Sequence, residues 1–183
     1  ESAIAEVIGR TPLLVGLAAA IISSGANLAN SRESLFEQIF ELIDSIADTR
    51  LHSRPASPVV LRRFIDILGW QLATNPLLAV QNILRDCSKV LAADLNIPPL
   101  QAEADAQSYS TYWEQVGLIE KLGVESRTAF AFIHKSFGEF AAARFLCALP
   151  DGEQDAFIAN NAGTDIWAEP MRFAASMGQA DKI

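Results

Sequence analysis

The side chains in this sequence best suited to chemistry fall in one run, Phe130-Ala131-Phe132-Ile133-His134-Lys135-Ser136-Phe137-Gly138-Glu139-Phe140. Phe130, Phe132 and His134 alternate with Ala129, Ala131 and Ile133, which is the period of a strand. The period then changes, and Phe137, Phe140, Ala141, Arg144 and Ala148 share a helix face. Ser136 followed by Glu139 reads as a capping box, so the spacing predicts a helix from about Phe137. His134 and Lys135 then stand at a strand-to-helix corner, beside a helix N-terminus whose unsatisfied N–H groups and partial positive charge suit anions. An imidazole there can donate to a phosphate oxygen. The plainer alternative is a ring that hydrogen-bonds a nearby carbonyl.

Other chemistries are excluded by what the spacing lacks. The two histidines and two cysteines are too scattered for a metal site, and Cys87 and Cys147 each sit in a helical pattern as buried thiols. No phosphate-cradling Gly-x-x-x-x-Gly-Lys-Ser/Thr loop, dinucleotide fingerprint or Gly-x-Ser-x-Gly elbow is present. Ser136 lies close to His134, but capping accounts for it better than a nucleophile's role. Glu33, Glu37 and Glu41 have the spacing of one solvated helix face, and Glu103 and Asp105 belong to another. The chain does not read as a self-sufficient enzyme.

Composition narrows the class further. The 183 residues suffice for one domain or two small ones with a sizeable core, and half of them are hydrophobic while 20% are charged. That is a globular composition. A net charge of −8 opposes a general affinity for nucleic acid or anionic membrane. The longest apolar run, Pro12 to Ile22, is well short of the roughly 20 residues of a membrane span; the expected location is the cytoplasm. The chain opens on Glu1 and stops at Ile183 without a start or stop signal, and it reads as a piece of a longer protein.

The elements that must position the corner are mostly helices. Residues 3–8 read as a helix tail broken by Gly9-Arg10. Thr11-Pro12 then opens a helix to about Ser24, apolar almost all round and so expected to be central, with Gly25 ending it. A second helix, capped by Asn30 or Ser31, runs to about Thr49 with Leu35, Ile39, Leu42, Ile43 and Ile46 as its stripe. Leu51 to Ala56 reads as a linker, and His52 as a solvated loop residue. Ser57-Pro58, Asn75-Pro76 and Pro98-Pro99 each announce a further helix. The second of these carries Leu77, Val80, Leu84, Cys87 and Leu91, and the third runs to about Val116. Gly117–Leu122, a turn over Gly123–Thr128 and Ala129–His134 form a strand–turn–strand pattern. Pro150-Asp151-Gly152 predicts a turn, followed by helices around Asp155–Asn160 and from Asp165, the last packing Trp167, Phe173, Ala174 and Met177 inward. The expected fold is mainly α and multi-helical, with a winged-helix domain carrying a small β-hairpin wing. Many winged helices bind DNA through the third helix, here Leu100–Val116. It carries Glu103, Asp105 and Glu114 and neither Lys nor Arg, so it would repel phosphates.

Three stretches carry a resemblance. Phe132-Ile133-His134-Lys135-Ser136-Phe137-Gly138-Glu139-Phe140-Ala141-Ala142-Ala143 resembles the F-x-H-x-S/T-F-Q-E-F/Y-x-A-A motif of NACHT-type NTPases, the signal-transduction ATPases that include animal NOD-like immune receptors and bacterial relatives. Thr11-Pro12-Leu13-Leu14 is similar to the N/T-P-L-L opening of that family's helical subdomain. Trp167-Ala168-Glu169-Pro170 with Phe173-Ala174-Ala175 resembles the start of its helical superstructure. Leu35 to Ile46 also suits the helical subdomain, and the matches follow the family's order across nearly the whole chain.

The resemblance implies a helical subdomain over residues 1–52, a winged helix over 53–149 and the start of the superstructure over 150–183. It implies that His134 contacts the β-phosphate of ADP in the closed state and that Pro12 lies near the adenine. The partners would be the upstream nucleotide-binding core, with its phosphate loop and magnesium-binding acids, and the downstream superstructure. ADP or ATP would be held by the intact protein, not tightly by this piece, which would have no catalytic residues of its own. Gly138 departs from the family's Gln. Two further readings are a nucleic-acid-binding winged helix and a helical interaction scaffold without a nucleotide.

Overall fold

The structure is a computed structural model that describes residues 12–50, 53–76, 78–124 and 127–183. The expectations for residues 3–11, His52 and Leu77 lie outside them. The protein is mainly helical, and among the described residues its sheet is a two-stranded antiparallel hairpin. The chain divides into two compact units, residues 1–53 and 54–183.

The first unit contains α1 (Pro12–Ser23) and α2 (Arg32–Arg50). Gly25, at φ +86°, takes the left-handed conformation that ends α1. Ser31 Oγ accepts the Ser34 N–H at the start of α2. The intervening loop is stapled by Gln38, whose amide accepts from the Ala29 N–H and donates to the Asn27 carbonyl, both at 2.9 Å. α1 differs from expectation. It buries a stripe of Leu14, Ala18 and Ile21, while Val15 and Ile22 are exposed. In α2, Phe36 and Phe40 are core residues beside Leu35 and Ile39, and Ile46 lies at the surface.

The second unit runs α3 (Pro58–Thr74), α4 (Val80–Leu95), α5 (Pro99–Val116), β1 (Ile119–Val124), β2 (Arg127–Phe132), α6 (Lys135–Cys147), α7 (Asp151–Asn161) and α8 (Asp165–Ala174). Three helices followed by a hairpin and a further helix is the order of a winged helix. Ser57 caps α3 through its hydroxyl, with Pro58 in the first turn where a missing N–H costs nothing. Asn75 does not repeat the device. Its N–H bonds the Gln71 carbonyl as the end of α3, Pro76 enters a turn closed by the Leu78 N–H on the Asn75 carbonyl, and α4 begins only at Val80. Asn96 (φ 51°) and Gly117 (φ 82°) end α4 and α5 in the left-handed region. Gly117 and Leu118 both donate to the Trp113 carbonyl, which turns the chain directly into β1. Pro150 likewise departs from its expected turn and precedes α7 immediately, with Asp151 and Gly152 in that helix's first turn.

α3 and α6 pack most extensively against each other, and the reason is small side chains. A methyl group at Gly69 of α3 would lie 2.7 Å from Ala141 Cβ, 2.9 Å from the Ala142 nitrogen and 2.9 Å from the Gly138 oxygen of α6. The two backbones touch here, as the Gly69, Gly138, Ala141 and Ala142 set allows. α5 is tied to α3 by the buried Trp113 indole N–H on the Leu61 carbonyl at 3.1 Å. Asp66 of α3, itself buried, pairs with Arg144 of α6 at 3.2 Å, beside the same crossing.

α7 and α8 join this unit through rings. The Trp70 centroid lies 4.9 Å from Phe145, 4.4 Å from Phe157 and 4.9 Å from Trp167, and Phe140 meets Phe173 edge-on at 5.3 Å. Tilted and edge-to-face geometries of this kind add about 0.5–1.5 kcal/mol per pair beyond burial. Past α8 the chain reverses at Gly178 (φ 99°), and Lys182 returns to Asp151 at the head of α7 at 2.6 Å. Hydrogen bonding to Lys182 holds the Asp151 carboxyl below the usual carboxylate range.

The α3–α6 contact sets a test. Gly69→Ala gains about 1 kcal/mol of helix propensity but overpacks a site whose neighbours are backbone, at about 1–3 kcal/mol. We expect net destabilisation, read as a melting temperature lowered by a few degrees. A Gly69→Ala protein that melts at or above wild type would contradict so close an approach.

Candidate functional site

The corner after β2 holds the histidine in a particular way. The Ile133 N–H closes the hairpin on the Leu118 carbonyl at 3.1 Å. His134 follows in extended conformation (φ −145°, ψ 135°) and is itself the N-cap of α6. Its ring Nδ1 accepts the Ser136 N–H at 3.2 Å, and its carbonyl accepts the Phe137 N–H at 3.1 Å. The Ser136–Glu139 capping box is therefore not formed. The imidazole occupies the acceptor's place, α6 starts at Lys135, and Ser136 is already inside the helix.

This cap fixes the tautomer. An Nδ1 that accepts a backbone N–H leaves the proton of the neutral ring on Nε2, which makes Nε2 the donor nitrogen. The half-buried ring is kept at this angle by Phe137, fully buried, whose ring stands nearly perpendicular to it at 6.5 Å. Through Nδ1, then, the ring serves the backbone of its own helix as an acceptor.

Glu139, freed from capping, turns back to Lys135 at 3.0 Å. Accepting that hydrogen bond and supplying the counter-charge, it holds the Lys135 ammonium above its ordinary range. The carboxylate is buried and the ammonium solvated. A cleft of about 370 Å³ opens beside this pair, lined by Gly69 and Leu72 of α3, Phe130 and Phe132 of β2, and Ile166 and Pro170 of α8, among others. Sequence periodicity did not single out this cleft; its one local sign was an isolated glycine, Gly69, within an otherwise apolar helix.

Gly138 also acquires a reason. A methyl group there would lie 2.8 Å from the Phe132 ring. The ring of the last strand residue covers the helix backbone where a longer side chain would stand.

Pro12, the other residue singled out, is the exposed first residue of α1 in the first unit. His134 and the cleft belong to the second. Among the described residues no His, Cys, Asp or Glu cluster could hold a metal ion, and no helix is long and apolar enough to cross a membrane. The exposed face of α5 presents Gln101, Glu103, Gln107, Ser108 and Thr111, without a cation to meet a phosphate backbone. Compared with family models, curated proteins and solved structures, the chain matches none.

Two predictions follow from these contacts. Gly138→Gln should destabilise the wild-type background by about 1–3 kcal/mol through collision with Phe132. In a Phe132→Ala background the same change should cost much less, so a double-mutant cycle by urea denaturation should give clear non-additivity; additive costs would show that the ring is elsewhere. The thiols give a pH-dependent measurement. Burial pushes Cys87 far up, helped by Asp86, and burial also raises Cys147, partly opposed by Arg144. The nucleophile is the thiolate, so raised values mean little of it at pH 8 and more as pH rises. Alkylation of the native protein by iodoacetamide should be slower than in urea at both positions, and Cys147 should react before Cys87. Equal rates at the two thiols would contradict the burial.

Proposed function

We propose that this chain is the helical and winged-helix regulatory arm of a NACHT-type NTPase. It closes over ADP or ATP held by the nucleotide-binding core of the parent protein and sets the balance between silent and signalling states, in a cytoplasmic role in immunity or defence. The arm is not itself an enzyme. The observation that carries the reading is the His134 cap: the histidine of the resembling motif stands at the head of α6 with Nδ1 committed to the Ser136 amide and the proton directed to Nε2. A donor so oriented suits a diphosphate oxygen, and the adjacent helix N-terminus favours the same negative charge. Pro12 is assigned to the adenine by resemblance alone.

The mechanism is a latch. With ADP bound, His134 Nε2 donates to the β-phosphate and holds the arm against the core. With ATP in its place the arm is released. Such a device works only if the nucleotide binds the closed and open states with different affinities, and the contact with His134 supplies that difference.

Two substitutions in the intact parent separate the latch from the cap. Asn is a good N-cap but cannot reach as far as an imidazole, so His134→Asn should keep the stability of α6 and still weaken ADP by about tenfold, the worth of one good charge-assisted contact. His134→Ala should lose both the ADP contact and about 1 kcal/mol of helix capping. Basal signalling should rise in both. ADP binding unchanged in either variant, measured by fluorescent-nucleotide titration, would remove His134 from the mechanism.

A further inference from the structure

The cleft beside α6 is a second feature of this unit, and nothing in the latch uses it. Three consecutive residues of β2, Phe130, Ala131 and Phe132, line it. In the hairpin, Ile119 faces Phe132 and Lys121 faces Phe130, while the Ile133 N–H points to Leu118. Antiparallel strands alternate the direction of their backbone groups residue by residue. The N–H and C=O of Phe130 and Phe132 therefore point away from β1. Among the described residues these four groups have no hydrogen-bond partner within the chain. Phe130 is buried and Phe132 half-buried. An unpaired strand edge of this kind is a ready template for pairing with another chain.

The walls explain what would complete them. Leu72, Ile166 and Pro170 are apolar, and Pro76 and Pro170 bring no N–H of their own. Lys135 and Glu139 neutralise each other at one end. The volume equals that of about a dozen waters, most of which would meet apolar walls. A small apolar molecule would fill the space and leave the strand edge unpaired. A second copy of the hairpin is too broad, since the edge is recessed between α3, α6 and α8. A single extended chain fits both demands, pairing its backbone with Phe130 and Phe132 and directing uncharged side chains at the apolar walls.

We infer that this cleft is a docking site for an extended, uncharged apolar segment of a partner protein, which adds to β2 as a third strand. The inference does not depend on the nucleotide latch.

The test uses the 183-residue chain and three acetylated, amidated pentapeptides, Thr-Val-Thr-Val-Thr and its counterparts with Leu or Phe for Val. At least one should shift the amide resonances of Phe130 and Phe132 and slow their hydrogen exchange at millimolar concentration. N-methylation of its central amides keeps the side chains but removes strand hydrogen bonds, and should weaken binding by about tenfold or more. Ala73→Leu, which narrows the cleft without touching β2, should abolish it. Latch and docking fail separately, because His134→Asn should leave peptide binding intact. The inference is overturned if no peptide perturbs these amides, if the N-methylated peptide binds as well, or if dodecanoate protects them equally. It is also overturned if the chain dimerises through β2 in sedimentation.

Discussion

The second unit depends on one constraint, the approach of α3 to α6 at backbone distance. Gly69 meets the Gly138 carbonyl and the Ala141–Ala142 turn with no room for a methyl group. Side chains elsewhere on the two helices interlock around that point. Asp66 and Arg144 form an ion pair between the same two helices, and Trp70 of α3 packs its ring on Phe145 of α6. A crossing this close fixes where α6 begins relative to α3, and thereby where β2 must deliver His134. The corner is therefore set by packing some distance away from it. A side chain placed in this way holds its angle through the packing behind it.

Much of this was legible in the sequence, for identifiable reasons. Ser57-Pro58 and Pro98-Pro99 marked real helix starts, because a proline in the first turn sacrifices nothing. Gly25 marked a real end, because the left-handed turn favours glycine, whereas Gly117, read as the first residue of a strand, is the left-handed end of α5 and the strand begins at Ile119. Asn75-Pro76 misled: the same dipeptide can finish one helix and turn the chain before the next, and which it does depends on whether the asparagine's N–H is claimed by the preceding turn. Ser136 and Glu139 misled in a related way. A capping box is a local bargain between two side chains, and here His134 Nδ1 takes the Ser136 N–H that the Glu139 carboxylate would have accepted. Periodicity found the strand and the helix on either side of the corner, but not the group that joins them.

The cleft was invisible for a different cause. Its walls come from α3, β2, α6 and α8, residues that are neighbours only once the α3–α6 crossing and the ring cluster are in place. Phe130 and Phe132 share one strand face, and their alternation marks only a strand. The fold uses them more narrowly: Phe132 lies over Gly138, and the backbone edge between the two rings is left without a partner. Gly138 gave a half-readable signal as a departure from the motif it resembles. Its meaning lies in the ring above it, and sequence spacing does not report a ring stacked across an element junction.

The corner and the cleft share a helix, and that connects their consequences. α6 carries His134 at its cap, Lys135, Gly138 and Glu139 along one side of its first two turns, and Ala141 and Ala142 against Gly69. A strand added at β2 would press on Phe132, which lies against Gly138 one turn from the capping imidazole. Coupling between two sites needs an element that both can bias. The first turn of α6 lies between the two, with Phe132 over Gly138 and Nδ1 on the Ser136 amide. The same closeness limits how far it can move, because Gly69 stands behind it. The corner and the cleft thus share one anchor, the crossing of α6 on Gly69.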